Sequence, residues 1–144
     1  MPDKFHIGYF ADGKWGHNAF KKLKEDDSIV IDFVCVRNDY KDPVLMQLGK
    51  ENGIDVLYTP NINSDEFLDK LETYKSDLFV SMSFNQIFRE KVRNIPPLSV
   101  INCHAGKLPY YRGRNILNWA LINDEKEFGI TVHYIDDGID TGDI

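Results

Sequence analysis

The sequence predicts an α/β fold, a doubly wound and mostly parallel sheet, and three observations lead there. Six short runs rich in Val, Ile and Phe recur along the 144 residues. Segments with helical spacing separate them. No repeat, low-complexity tract or linker interrupts that rhythm, so residues 1–144 read as a single domain. Strands that alternate with helices run mostly parallel, and such sheets bind ligands at the carboxyl ends of their strands.

Taken in order, strands are expected at 5–10, 29–36, 56–58, 78–83, 99–103 and 130–135. Helices are expected at 18–24, 43–52, 65–74, 89–93 and 115–122. Pro43 suits a first helical turn, where its missing N–H is no loss, and Gly53 follows a helix end. Ser64 offers a hydroxyl to cap the third helix. Residues 11–18, Ala-Asp-Gly-Lys-Trp-Gly-His-Asn, read as the first strand–helix loop.

The bulk properties narrow the function. A net charge of −6 argues against nucleic acid as a partner, because such proteins usually present a basic face. A local basic pocket for a phosphate stays compatible with it. No apolar stretch reaches the ~20 residues that cross a bilayer, so no membrane partner is expected. Met1-Pro2-Asp3-Lys4 lacks the basic start and long apolar segment of a secretory signal, so the expected location is the cytoplasm. Cys35 and Cys103 both sit in strand-like runs and read as buried thiols rather than a disulfide. The scattered histidines and cysteines suggest no metal site.

The chemistry is concentrated near the end of the chain. Asn102-Cys103-His104 is followed by Lys107-Leu108-Pro109, Tyr111-Arg112-Gly113 and Asp140-Thr141-Gly142-Asp143. Asn102 and His104 are two apart, so on a strand they project from one face, while Cys103 turns to the other. Asp140 lies 36 positions beyond His104, after a second apolar run. Neighbouring strands would bring amide, imidazole and carboxylate to one edge. Such a set can move an acyl group onto an amine. Asn102 can donate to the developing oxyanion. His104 can take the amine proton, histidine being the side chain best matched to neutral pH. Asp140 can orient His104, stabilise its charged form or relay the proton.

This ordered set resembles the formyltransferases that use 10-formyltetrahydrofolate. Their hallmark is Asn-x-His, then Leu-Pro and a Gly, then a later Asp-x-Gly-Asp/Pro loop. Here these are Asn102 and His104, Leu108-Pro109, Gly113, and Asp140 to Asp143. The resemblance implies a Rossmann-like formyltransferase domain with Asn102, His104 and Asp140 as its catalytic three. It also implies that the folate co-substrate, with no metal, is held by Phe84, Asn85, Gln86, Ile87 and Phe88 and by Asp136, Asp137, Gly138 and Ile139. Phe84, Ile87 and Phe88 would form flat apolar walls. His133 reads as a supporting residue. Domains of this family continue past the last loop, so the resemblance implies an incomplete C-terminus.

The acceptor is read from other residues. Residues 111–119, Tyr-Arg-Gly-Arg-Asn-Ile-Leu-Asn-Trp, look most like the sugar N-formyltransferases. Arg112 and Arg114 can face an anionic group, and Asn115 can cap the next helix. The first loop is no full Gly-x-Gly-x-x-Gly, and it lacks the Gly-x-Gly-Ser-Asn loop of the glycinamide ribonucleotide enzymes. Lys14, Trp15 and His17 suit a nucleotide-linked sugar, Lys14 for its phosphates and Trp15 for a flat surface. The leading expectation is therefore formyl transfer to a nucleotide-linked amino sugar. Methionyl-tRNA formyltransferase, a formyltetrahydrofolate hydrolase and a non-catalytic folate- or nucleotide-binding fragment stay open, as does a homodimer.

Overall fold

The computed structural model describes residues 3–104, 108, 112–113 and 130–144. Among them the elements run β1 (Phe5–Ala11), α1 (Gly13–Glu25), β2 (Ile29–Cys35), α2 (Pro43–Glu51), β3 (Asp55–Leu57), α3 (Asp65–Glu72), β4 (Leu78–Met82), α4 (Glu90–Arg93), β5 (Val100–His104) and β6 (Thr131–Tyr134). The expected helix at 115–122 lies outside the described residues.

One sheet holds the strands in the order β3-β2-β1-β4-β5-β6. All neighbours are parallel except β5 and β6, which pair antiparallel. The doubly wound expectation is met. The chain builds outward from β1 to β3, then crosses to the other side of β1 and builds outward again through β4 and β5. The two halves diverge between β1 and β4, the switch point at which such sheets bind ligands.

Each strand serves two cores, because successive side chains alternate. Ile7, Tyr9 and Ala11 of β1 face one layer with Phe20 of α1 and Leu45 of α2. Phe10 faces the other, with Leu68 of α3 and Val92 of α4. Phe10 is central there: its ring lies 4.9–5.5 Å from those of Phe33, Phe79, Phe84 and Phe88. Truncating such a buried ring usually costs about 3–5 kcal/mol. At the amino end of the sheet the Asp32 carboxylate joins three strands' worth of chain. It pairs with His6 Nδ1 at 2.7 Å and accepts from the Ser76 hydroxyl at 2.7 Å.

The helices end as their residues dictate. The Ser64 hydroxyl accepts from the Phe67 N–H and caps α3. Asp42 caps α2 by accepting from the N–H groups of Val44 and Leu45, with Pro43 next in the first turn. The first helix begins earlier than expected, at Gly13 rather than 18. Two glycines and no apolar spacing make residues 13–17 look like loop. Gly13 takes a φ of +77°, which only glycine adopts without strain. Its N–H and the His17 ring then both anchor on Asp42, so tertiary contacts override weak local preference.

Candidate active site

Val100, Asn102 and His104 alternate onto one face of β5, the face of the α3/α4 core to which Val100 belongs. The antiparallel register sets Asn102 opposite His133 and His104 opposite Thr131. Asn102 and His104 therefore share a face, and His133 joins them from β6. Cys103 turns to the other side, and burial pushes its thiol above the usual range. Both cysteines are free.

After β6 the chain doubles back along the sheet. The Ile135 N–H donates to the Val100 carbonyl at 2.9 Å, and the Tyr134 N–H to the Asp143 carbonyl at 2.7 Å. This return is close enough to need glycine. A Cβ on Gly142 would run into the Tyr134 carbonyl oxygen and stand 2.6 Å from its carbon. The return carries Asp140 back to the two imidazoles. One carboxylate oxygen lies 3.4 Å from His104 Nδ1, and the other lies 3.3 Å from His133 Nε2. The first of these also accepts from the Gly113 N–H at 2.8 Å. Asp140 holds a left-handed φ of +54°, which Asp tolerates better than bulky residues do.

The geometry assigns hydrogens. The Asp140 carboxylate favours a hydrogen on His104 Nδ1, which puts that ring's lone pair on Nε2. His133 Nδ1 faces the Tyr134 carbonyl at 2.9 Å and so carries a hydrogen. Its Nε2 stands between Asp140 and the Asn102 amide, which approaches at 3.4 Å. A hydrogen on Nε2 serves the carboxylate, and a bare Nε2 serves the amide. Asn102, His133, Asp140 and His104 thus form one chain of polar contacts at the strand ends. All three groups expected to converge do so, with His133 linking two of them. His104 and His133 are almost fully buried, which excludes water from their inner sides.

A profile of the formyl transferase family matches residues 13–144. The chain belongs to that family. The methionyl-tRNA formyltransferase of Clostridioides difficile is 40% identical over 98 residues, covering 68% of this chain and 32% of that protein. The corresponding protein of Halothermothrix orenii is 37% identical over 135 residues, covering 88% and 42%. The chain thus spans about a third of the length of the first of these curated relatives. In fold it is similar to a phosphoribosylglycinamide formyltransferase structure from Anaplasma phagocytophilum. That match has a TM-score of 0.81 at 24% identity and covers 97% of this chain and 69% of the other.

Two further segments of this formyl transferase chain flank the polar group. Residues 84–88 leave the end of β4, and 136–139 precede Asp140. Their side chains divide by role. Ile87 and Ile139 are exposed apolar groups, and Asn85, two residues before Ile87, is exposed as well. Phe88 is buried in the α3/α4 core and Phe84 packs against that core, so Phe88 offers little ring to a ligand. Gln86 is spent internally, accepting from the Ile62 N–H and donating to the Thr59 carbonyl. Asp136 accepts from the Thr141 hydroxyl and the Gly138 N–H, which hold its carboxyl below the usual range. Asp137 pairs with Arg93. Among the described residues no group of three or more His, Cys, Asp or Glu stands placed for a metal. No helix among them is long and apolar enough to cross a membrane.

Lys14, Trp15 and His17 sit on α1 rather than on a loop, at the carboxyl end of β1. That is two strands from β5, or about 10 Å at the usual spacing. Lys14 and Trp15 are exposed. His17 differs from expectation, because Asp42 takes its Nε2 at 2.7 Å in a mostly buried pair. Burial pushes the Asp42 carboxyl up, but bonds from His17, Gly13 and Leu45 outweigh it and hold the group below the usual range. Beside it, burial raises Asp12 against the pull of Arg37. Arg112 is exposed next to Gly113, and Arg114 lies outside the described residues. The sequence pattern gives no sign of Asp42 beyond its place before Pro43, and none of Arg93.

Proposed function

We propose that this chain transfers a formyl group from 10-formyltetrahydrofolate to the amino group of a nucleotide-linked amino sugar. The observation that carries it is the Asp140 carboxylate held between His104 and His133 at the end of β5. In the proposed step the amine nitrogen bonds to the formyl carbon and the bond from that carbon to the folate nitrogen breaks. Asn102 donates to the oxyanion that forms between the two events. His104 Nε2 takes the amine proton, and Asp140 stabilises the resulting imidazolium. The proton is then available to the departing folate nitrogen. Buried imidazoles and a held carboxylate suit this work because they need no reorganisation as charge appears.

The folate fits the segments at 84–88 and 136–139. Exposed Ile87 and Ile139 supply apolar surface, and the backbone of both segments supplies polar groups for a heteroaromatic edge. Support for the acceptor comes from half-exposed Trp15 beside Lys14, across the switch point from the polar group.

A second reading, formyl transfer to methionyl-tRNA, is favoured by the names of the curated relatives. The net charge of −6 weighs against a nucleic-acid acceptor. Turnover with 10-formyltetrahydrofolate and a panel of nucleotide-linked 3-amino and 4-amino sugars, run beside methionyl-tRNA, decides between them. Formylation of one sugar and not of the tRNA is the expected result. Formylation of the tRNA alone would overturn the sugar reading. Folate binding with no turnover of any acceptor would leave a binding fragment.

A further inference from the structure

Arg93 is the last residue of α4, and the site as read from the sequence gives it no part. Its side chain is only 13% exposed. One guanidinium nitrogen donates to the Phe88 carbonyl at 3.0 Å, and the other donates to Asp137 at 2.7 Å. Phe88 closes one of the two segments proposed to hold the folate, and Asp137 belongs to the other. A single planar fork thus bridges two loops whose contacted residues, Phe88 and Asp137, lie 49 positions apart in sequence (137 − 88). Lysine, a point charge, has no such geometry.

The rest of the contacts make this bridge consequential. On its far side the 84–88 segment is already fixed. Gln86 binds Ile62 and Thr59, and the Asn63 amide donates to the Ile87 carbonyl at 2.8 Å. Among the described residues, the side chains of the 136–139 segment make no other hydrogen bond to the α3/α4 layer. Among the described residues, Asp136 bonds within its loop, to Gly138 and Thr141. Ile135 packs on the α3/α4 core at the start of this segment, and Arg93 adds the direct side-chain tie between the two segments. Three residues further on comes Asp140, so the same tie bears on the carboxylate.

Resting on the folate reading above, we propose that Arg93 is a positioning residue. It sets the spacing of the 84–88 and 136–139 segments, and so governs affinity for the flat bicyclic ring of the folate. The Asp137 carboxylate serves Arg93 rather than the ligand.

The test is calorimetric titration with 5-formyltetrahydrofolate, a stable isomer of the donor, together with steady-state kinetics in both substrates. Arg93→Gln and Asp137→Asn are each expected to weaken folate binding about tenfold. The double variant is expected to bind no more weakly than Arg93→Gln alone, because both remove one bridge. Arg93→Lys is expected to fall between wild type and Arg93→Gln. The KM for the amine acceptor should move by less than about twofold. Asp137 is 92% exposed, so its substitution tests the bridge without threatening the fold. Wild-type binding that both variants retain in full would overturn the proposal and leave the folate reading standing. Equal losses for donor and acceptor would overturn it too. A wild-type chain that does not bind the folate at all would remove the reading and this inference together.

Discussion

Replacing Asp140 with Asn removes one charge and little else. The side chain keeps its shape, its carbonyl oxygen can still accept from the Gly113 N–H, and Asn adopts the φ of +54° as readily as Asp. The fold should therefore survive with its melting temperature unchanged. The chemistry should not. When His104 takes a proton, its charge sits 3.4 Å from the carboxylate. At an effective dielectric of about 20 that pair attracts by ~5 kcal/mol. The amide dipole recovers a minor part, which leaves a loss of ~3–4 kcal/mol in the transition state, or roughly 200- to 1,000-fold in kcat. His104→Asn should cost a similar factor, the usual scale of losing a general base. Rapid-quench formyl transfer under single turnover isolates the step from product release. A single-turnover rate for Asp140→Asn equal to wild type would refute the reasoning, since the carboxylate would then stabilise no charge.

Three other perturbations probe separate parts of the structure. Gly142→Ala should push the return loop off Tyr134 and carry Asp140 away from both imidazoles, so kcat should collapse while circular dichroism stays native-like. Intact activity would show that the close approach is not required. Trp15→Ala should raise the acceptor KM about fivefold, ~1 kcal/mol, with folate affinity unchanged. A loss confined to stability would move the acceptor elsewhere. Asp42→Ala should destabilise by about 2 kcal/mol, through the lost α2 cap and the orphaned Gly13 and His17 donors. Its pH dependence has a fixed sign. The folded carboxyl lies below its unfolded value, so its stabilisation is full above about pH 4 and fades as pH falls through the folded value. Denaturant melts from neutral to acid pH should converge for wild type and variant only at the acid end.

Strand positions were readable because β-branched and aromatic runs say little else: all six fall within a residue or two of their expected places. The shared face of Asn102 and His104 follows from the two-residue period alone, and Asp140 reaches it as the motif order implies. What escaped the pattern depends on partners distant in sequence. The start of α1 is hidden because Asp42, far along the chain, supplies the anchor for Gly13 and His17. Phe88 looks like a ligand wall in sequence, yet Phe10 claims its ring for the core at 4.9 Å. Arg93 sits in a four-residue helix with no motif, and only the return of the chain after β6 brings Asp137 to it. Local chemistry marks the candidate reactive groups, while the groups that hold them are marked by topology.

The two cores on opposite faces of the sheet carry a consequence for how such a chain can diversify. The polar group at β5 and the segments proposed for the donor belong to the layer of Phe10, Phe79 and Val92. Trp15 and Lys14 ride on α1, whose buried side packs into the layer of Tyr9, Phe20 and Leu45. Substitutions at the outer start of α1 can accumulate without repacking the layer that runs the reaction. With the acceptor placed as proposed, a lineage built on this plan can retarget it by drift in one short turn, while the proposed donor segments are inherited intact.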